Sequence, residues 1–415
     1  MKEQTLNGPD APRGCPVAHG SAELARLYGR EAATDPLGIY ERLRKEHGSV
    51  APVLLEGDIP AWLVLGYRES RRVLDNPRQF ARDARIWRDW REGRIEETSP
   101  LIPMLGWRPD CVSQDGEPHR RLRAAVNDVL QAAAGRGIRR HATHFANKQI
   151  DGFADNGRAD LVADYADHLP MLVMSRILGL AEAEGRRLVE SCAQVLKGGE
   201  DAVVHDGKIR EIFGELAERR RSEPGSDLTT GLLEHHAALD HDEVVHHLRV
   251  VLIAASVTTN LLARVLQLVL TDASRLSGLI SGQLNISGVV EEVMWNSPPL
   301  AVLPGRFAAS DVELGGHRIE EGDLLVLGLA PGNLDPEVRP DPGVSVHGNQ
   351  SHLAFGAGPH ECPGQSIGQS MIEVAVDVLL HRLPGLRLAV PADELTSTAS
   401  TWESRLNRLP VEFPV

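Results

Sequence analysis

Cys362 is the residue of this chain whose surroundings most clearly point to chemistry. It stands in Phe355-Gly-Ala-Gly-Pro-His-Glu-Cys362-Pro-Gly364, between a glycine-broken loop and an apolar helical pattern running to Arg382. Gly356 and Gly358 let the backbone turn tightly and approach a flat ligand closely. Pro363 suits a first helical residue, because its missing N–H is unpaired there anyway. Cys362 is then expected at a helix N-terminus, where N–H groups and the dipole favour an anionic sulfur. A free cysteine is usually a small buried hydrophobe. A stabilised thiolate in a shaped loop instead suits a metal ligand, and haem iron is one metal held by a single cysteine.

The rest of the composition narrows the setting. The other cysteines, at positions 15, 111 and 192, form no C-x-x-C pair. That argues against a zinc site or a disulfide scaffold and fits a reducing cytosol. The first twenty residues are polar, with Pro and Gly, and lack the apolar run of a signal peptide or anchor. They are expected to form a flexible arm, with residues 21–415 as one domain, because no linker, repeat or low-complexity block divides the chain. The formal charge of −14 argues against non-specific nucleic-acid binding. A cytoplasmic protein without a membrane span is the expectation.

The elements that must position Cys362 are mostly helices. DPLGIYERLRKEH, residues 35–47, has an N-cap Asp followed by Pro and helical spacing. Residues 61–67 read as a buried strand leading into a helix stopped by Pro77. Helical spacing continues over 117–133, 137–154, 163–179, 182–197, 205–222 and 241–272. Short β pieces are expected over 299–327, with Gly315-Gly316 as a hairpin turn. The helix over 241–272 is apolar or small on all faces along VLIAASVTTNLLA, so it should run through the core. That apolar middle, about thirteen residues between Arg249 and Arg264, is too short to span a bilayer. Thr258 and Thr259 within it have a simple use, bonding back to carbonyls one turn earlier. Trp87, Trp90 and Trp107 lie in an irregular stretch, where pocket residues often concentrate.

The cysteine loop matches every fixed position of F-G-x-G-x-H-x-C-x-G and so resembles the haem-binding signature of the cytochrome P-450 family. The likeness extends along nearly the whole chain. Asp115-Gly-Glu-Pro-His119-Arg-Arg-Leu-Arg123 looks like the family's H-x-x-x-R motif, whose two residues share a helix face and reach a haem propionate. Arg306, in Leu303-Pro-Gly-Arg-Phe307, matches the strand arginine at a propionate, and His360 matches the propionate residue of the loop. Ala254-Ala-Ser-Val-Thr258-Thr259 looks like the central motif A/G-G-x-D/E-T-T/S. Thr258 there matches the threonine that helps deliver protons to dioxygen. The resemblance implies a mainly α fold with minor β, a single-domain cytochrome P-450 with a long central helix across the haem. It implies haem b (iron protoporphyrin IX) on Cys362, contacted by His119, Arg123, Ala254, Ala255, Arg306, Phe355, Gly356, Gly358, His360 and Gly364.

Two departures stand against that pattern. Val257 replaces the acid of the central motif, and Ala255 the usual glycine; Ser256 or a water chain is the alternative proton source. In the E-x-x-R motif Glu292 is kept, but the arginine is Trp295, and its expected partner arginine falls at His347. The expectation is a rebuilt site in which His347 and the Trp295 indole contact Glu292. Asn333-Leu-Asp335 also replaces a usual N-R-D.

The function implied by the resemblance is that of a bacterial biosynthetic oxidase acting on a small, largely apolar organic molecule. Two electrons would come from a ferredoxin and its reductase, docking near Arg120, Arg121, Arg139 and Arg140. Hydroxylation is the default, and Val257 leaves oxidative C–C or C–N coupling open. A catalytically silent haem- or ligand-binding protein and a peroxide-driven peroxygenase are the alternatives. Substrate contacts are expected at Trp87, Trp90, Leu300, Val302 and Trp402.

Overall fold

A computed structural model describes residues 24–135, 137–197, 201–341 and 343–415. The arm expected over residues 1–20, with Cys15, lies outside them. The described residues form a large helical body beside a smaller sheet region, each with a buried apolar cluster.

The sheet has six strands: β1 Ala25–Arg26, β2 Val50–Leu55, β3 Ile59–Val64, β4 Phe80–Ala81, β5 Val302–Ala308 and β6 Leu324–Gly328, in the order β1-β2-β3-β6-β5-β4. The strand expected over 61–67 is β3, and it ends earlier than expected. Gly66 is already the N-cap of the next helix, Tyr67–Asp75. Strand β5 carries the feature that matters most for the site. Its register against β6 shifts between Leu303 and Arg306, where an extra residue bulges out. Gly305 adopts φ 69° there, a conformation that favours glycine. The bulge carbonyls of Pro304 and Gly305 each accept a hydrogen bond from Arg82 Nη1 at 2.6 Å. A bulge re-aims the side chain that follows it, and here that side chain is Arg306. The hairpin at Gly315-Gly316 forms as expected, with φ 57° and 80° and Leu314 paired to His317.

Six helices build and cross the helical body around the site. They are α1 Gly116–Gly135, α2 Ile138–Asp151, α3 Ala202–Ser222, α4 His241–Leu270, α5 Ile286–Asn296 and α6 Gln365–Arg382. The expected bounds hold to within a few residues, except that 163–179 divides into a π turn, Val162–Ala166, and the helix Leu169–Leu178. Helix α4 starts on a reciprocal cap: Asp240 accepts from Glu243 N, and Glu243 accepts from Asp240 N. It is long and apolar enough to cross a membrane by length and composition, longer in that sense than its apolar middle suggests. Its packing explains the composition, since Leu248, Leu252, Leu262, Val265 and Leu266 are fully buried in the main core. Helix α6 begins at Gln365 with Gly364 as N-cap. Pro363 is therefore outside the helix, and Cys362 sits two residues before the cap.

Candidate active site

The cysteine loop is closed by its own backbone. Cys362 N–H donates to Phe355 O at 2.9 Å, and Gly356 N–H to Leu353 O at 2.7 Å. Gly356 and Gly358 both have positive φ, 68° and 66°. At Gly358 a Cβ would lie 2.6 Å from the Leu74 carbonyl oxygen. The glycine thus serves the close approach of the helix Tyr67–Asp75. Cys362 is half-buried. Burial pushes its thiol up, and the Gly364 N–H pulls it down less strongly. Coordination to a metal would stabilise the anionic sulfur.

Facing the loop is one stripe of α4. Ala254 and Thr258 are four residues apart and share a helix face. Ala254 is exposed in the middle of a helix otherwise largely buried around it, so this face is open. Ala255 is buried. The two threonines differ. Thr259 Oγ1 donates to Ser256 O at 2.7 Å, the local back-bond expected of a helical threonine. Thr258 makes no such bond among the described residues. Its Oγ1 lies 3.8 Å from where a Cβ on Gly368 of α6 would be, so it sits beside the helix that follows Cys362. Ser256 is not available as a proton source: it is buried and donates to Ile253 O at 2.7 Å. Val257 packs against the core.

The polar residues expected around two carboxylates do gather. Arg306 is 2% exposed, and among the described residues its one hydrogen bond goes to the neighbouring Gly305 carbonyl at 3.1 Å. Burial and the nearby Arg82 hold this guanidinium well below its ordinary value, with Asp115 opposing. His119 is buried, and its Nε2 has no hydrogen-bond partner. Its ring stacks 4.1 Å from that of His360, whose Nε2 lies 3.1 Å from Asp115 Oδ1. Burial lowers His360 to about 3 despite Asp115, and burial with Arg123 lowers His119. A buried cation without a contacting anion, beside an unpaired imidazole nitrogen, fits the carboxylates of a haem. Arg123 lies one turn from His119, but its guanidinium holds the Glu361 carbonyl and Asn127 Oδ1.

Several expectations need correction. Glu292 touches neither His347 nor Trp295: it pairs with Arg275 at 3.1 Å. The buried acid is its neighbour Glu291, 3% exposed, held by His352, Gln350 and Gln369. Trp295 donates from Nε1 to Asn349 O at 2.7 Å, and the Arg339 guanidinium lies 5.7 Å from its ring centre. His347 is exposed. Trp87, Val302 and Trp402 are core side chains, 1%, 0% and 2% exposed, so they offer no surface to a substrate in this state. Trp87 packs against Phe307 at 5.6 Å. Leu300 and Trp90 are only partly buried. Of the surface arginines, Arg121 is engaged by Glu243 and the Ala237 carbonyl, Arg120 by Glu117 and Arg139 by Glu373.

Residues 286–384 match the family model for cytochrome P450. The chain is 30% identical over 399 residues to 2-hydroxy-5-methyl-1-naphthoate 7-hydroxylase of Streptomyces carzinostaticus, covering 91% of this chain and 95% of that protein. It is 31% identical over 420 residues to mycinamicin IV hydroxylase/epoxidase of Micromonospora griseorubida, covering 97% and 98%. Among solved structures, CYP154C4 from Streptomyces sp. W2061 superposes with a TM-score of 0.86 at 27% identity, covering 95% of this chain and all of that one. With the cysteine loop, the open stripe of α4 and the unpaired Arg306 and His119 in place, the chain belongs to the cytochrome P450 family and its cofactor is haem b.

Proposed function

We propose that this protein is a biosynthetic haem-thiolate monooxygenase that inserts oxygen into a small, largely apolar organic molecule. The observation that carries the reading is the placement of Cys362 and Thr258. The loop cysteine precedes α6, and the free hydroxyl of Thr258 lies beside the same helix at the open face of α4. Relatives of similar length carry the names hydroxylase, hydroxylase/epoxidase and N-oxygenase. Haem b ligated by a thiolate supplies dioxygen activation when bound.

The chain's own residues do the rest. Cys362 would hold the haem iron, Arg306, His119 and His360 would receive the propionates, and Gly356, Gly358 and Gly364 would let the loop lie close. Ala254 leaves room for substrate, and the partly buried Leu300 and Trp90 are the remaining candidate contacts for an apolar ligand. Thr258 holds and passes a proton. Hydroxylation places one oxygen atom of dioxygen in the product and the other in water, consuming two electrons and two protons. A ferredoxin with its reductase is the electron source. Replacing Cys362 with Ser tests the axial role: the ferrous–carbon monoxide Soret band should leave the thiolate position, and an unchanged band removes the sulfur from that role.

A second reading has one observation in its favour. Val257 carries no proton and Ser256 is sealed against Ile253, so proton supply to Thr258 is thinner than an acid would provide. Oxidative coupling, the second reading, takes two hydrogens from substrate and, with the same two electrons and two protons, sends both oxygen atoms to water. Turnover under labelled dioxygen separates the two, since one labelled oxygen in the main product excludes coupling.

A further inference from the structure

Glu291 accepts hydrogen bonds from both sides of the cysteine loop. From the segment before the loop come His352 Nε2 at 2.9 Å and Gln350 Nε2 at 3.4 Å. From α6, after Cys362, comes Gln369 Nε2 at 3.2 Å. His352 is 5% exposed, and its Nδ1 makes no hydrogen bond, so among the described residues Glu291 is its ring's only hydrogen-bonded anchor. His352 is also the N-cap of the turn Leu353–Phe355. Its ring lies 5.5 Å from that of Phe355, the residue whose carbonyl receives the Cys362 N–H. The same helix, α5, grips this turn a second time. Asn333, fully buried, donates to Met294 O at 2.8 Å and accepts the Leu353 N–H at 2.7 Å.

We propose that Glu291 and His352 are positioning residues for the axial thiolate. The carboxylate staples the two ends of the cysteine loop to α5, and the histidine passes that constraint to Phe355 and so to the Cys362 amide. This rests on the reading of Cys362 as the axial ligand. It differs from the E-x-x-R expectation in the acid, Glu291 instead of Glu292, and in the donors, an imidazole and two amides instead of guanidinium groups. A buried carboxylate needs its lone pairs satisfied, and three donors from two segments satisfy them only if those segments stay in register. Directional donors at the positions of His352 and Gln369 are the requirement, not formal positive charge.

The test uses the haem-loaded full chain, with two readouts: the ferrous–carbon monoxide Soret position and the rate of haem transfer to apomyoglobin. His352→Leu and Gln369→Leu should each move part of the population off the thiolate position. They should also speed haem loss on the order of tenfold or more, as expected for a lost hydrogen bond to a buried charged group. His352→Gln keeps a donor and should stay near wild type in both; Glu292→Gln should change neither. Lowered melting temperatures with an unchanged band and haem-loss rate in both leucine variants would overturn the proposal, leaving a packing role alone. His352→Gln behaving like His352→Leu overturns the donor requirement. Should His352→Leu fail to fold, Gln369→Leu decides. A wild-type protein without the thiolate band refutes the axial reading instead, which keeps the two failures apart.

Discussion

At the scale of single residues, Arg306 carries the clearest consequence of a missing partner. A guanidinium 2% exposed with one carbonyl contact is costly to bury without an anion. Arg306→Leu should therefore stabilise the haem-free protein while loosening haem. Thermal unfolding of the apoprotein should shift upward, and haem transfer from the holoprotein should quicken by roughly ten- to a hundredfold. A variant that leaves the haem-loss rate unchanged removes Arg306 from the propionate role. Thr258 makes a separate prediction. Its hydroxyl is free where that of Thr259 is bonded, so Thr258→Ala should leave the substrate-induced spectral shift intact. Product formed per electron pair should then fall by about tenfold or more, in keeping with the loss of a proton-handling group. Equal losses in binding and product would mean that Thr258 shapes the pocket instead.

At the scale of elements, the sequence was readable where a residue type admits few uses. A glycine at positive φ and an Asp before Pro are such cases, and Gly358 and Asp35 lie where those patterns put them, whereas Cys362 lies two residues before the N-cap of α6 and not at its first turn. Gly358→Ala is expected to destabilise the protein by about 2 kcal/mol or more, from the left-handed conformation and the Leu74 carbonyl 2.6 Å away. Chemical denaturation of the holoprotein measures it, and a neutral effect would show that the loop relaxes. What was not readable is the phase of α5. Glu291 and Glu292 are adjacent and identical in type, and neighbouring helical residues face directions about 100° apart, so only the surroundings decide which is buried. Those surroundings, His352, Gln350 and Gln369, come from far along the chain. The same limit applies to Trp87 and Trp402: an aromatic in an irregular stretch serves a pocket or a core equally well, and tertiary packing chose the core. Ser256 and Thr259 were decided by local bonds that spacing leaves open.

At the scale of the whole molecule, three elements of the helical body meet at one carboxylate. Asp206, on the first turns of α3, is 4% exposed. It accepts from Arg249 of α4, from Arg108 Nη2 at 3.3 Å and from Arg210 Nε at 3.3 Å. Arg249 also donates to Pro103 O at 2.6 Å, and Arg108 to the carbonyls of Ile102 and Gly106. The irregular stretch around residue 105, α3 and α4 are thus locked together by one negative charge among three positive ones. Burial raises the Asp206 carboxyl, but Arg249 and Arg108 outweigh it and hold it below the ordinary carboxylate range. A depressed folded value means that its contribution is present above the unfolded carboxylate value and is lost as pH falls through the folded one. Asp206→Asn leaves three arginines facing each other and should cost about 3–5 kcal/mol near neutrality. The gap between wild type and variant should narrow as the pH drops below about 4, because the wild-type carboxyl then protonates too. Urea midpoints across that range read both effects. A gap that stays constant into acid would mean that the asparagine disturbs packing and not charge, and that the junction is held by the carbonyl contacts of Arg108 and Arg249.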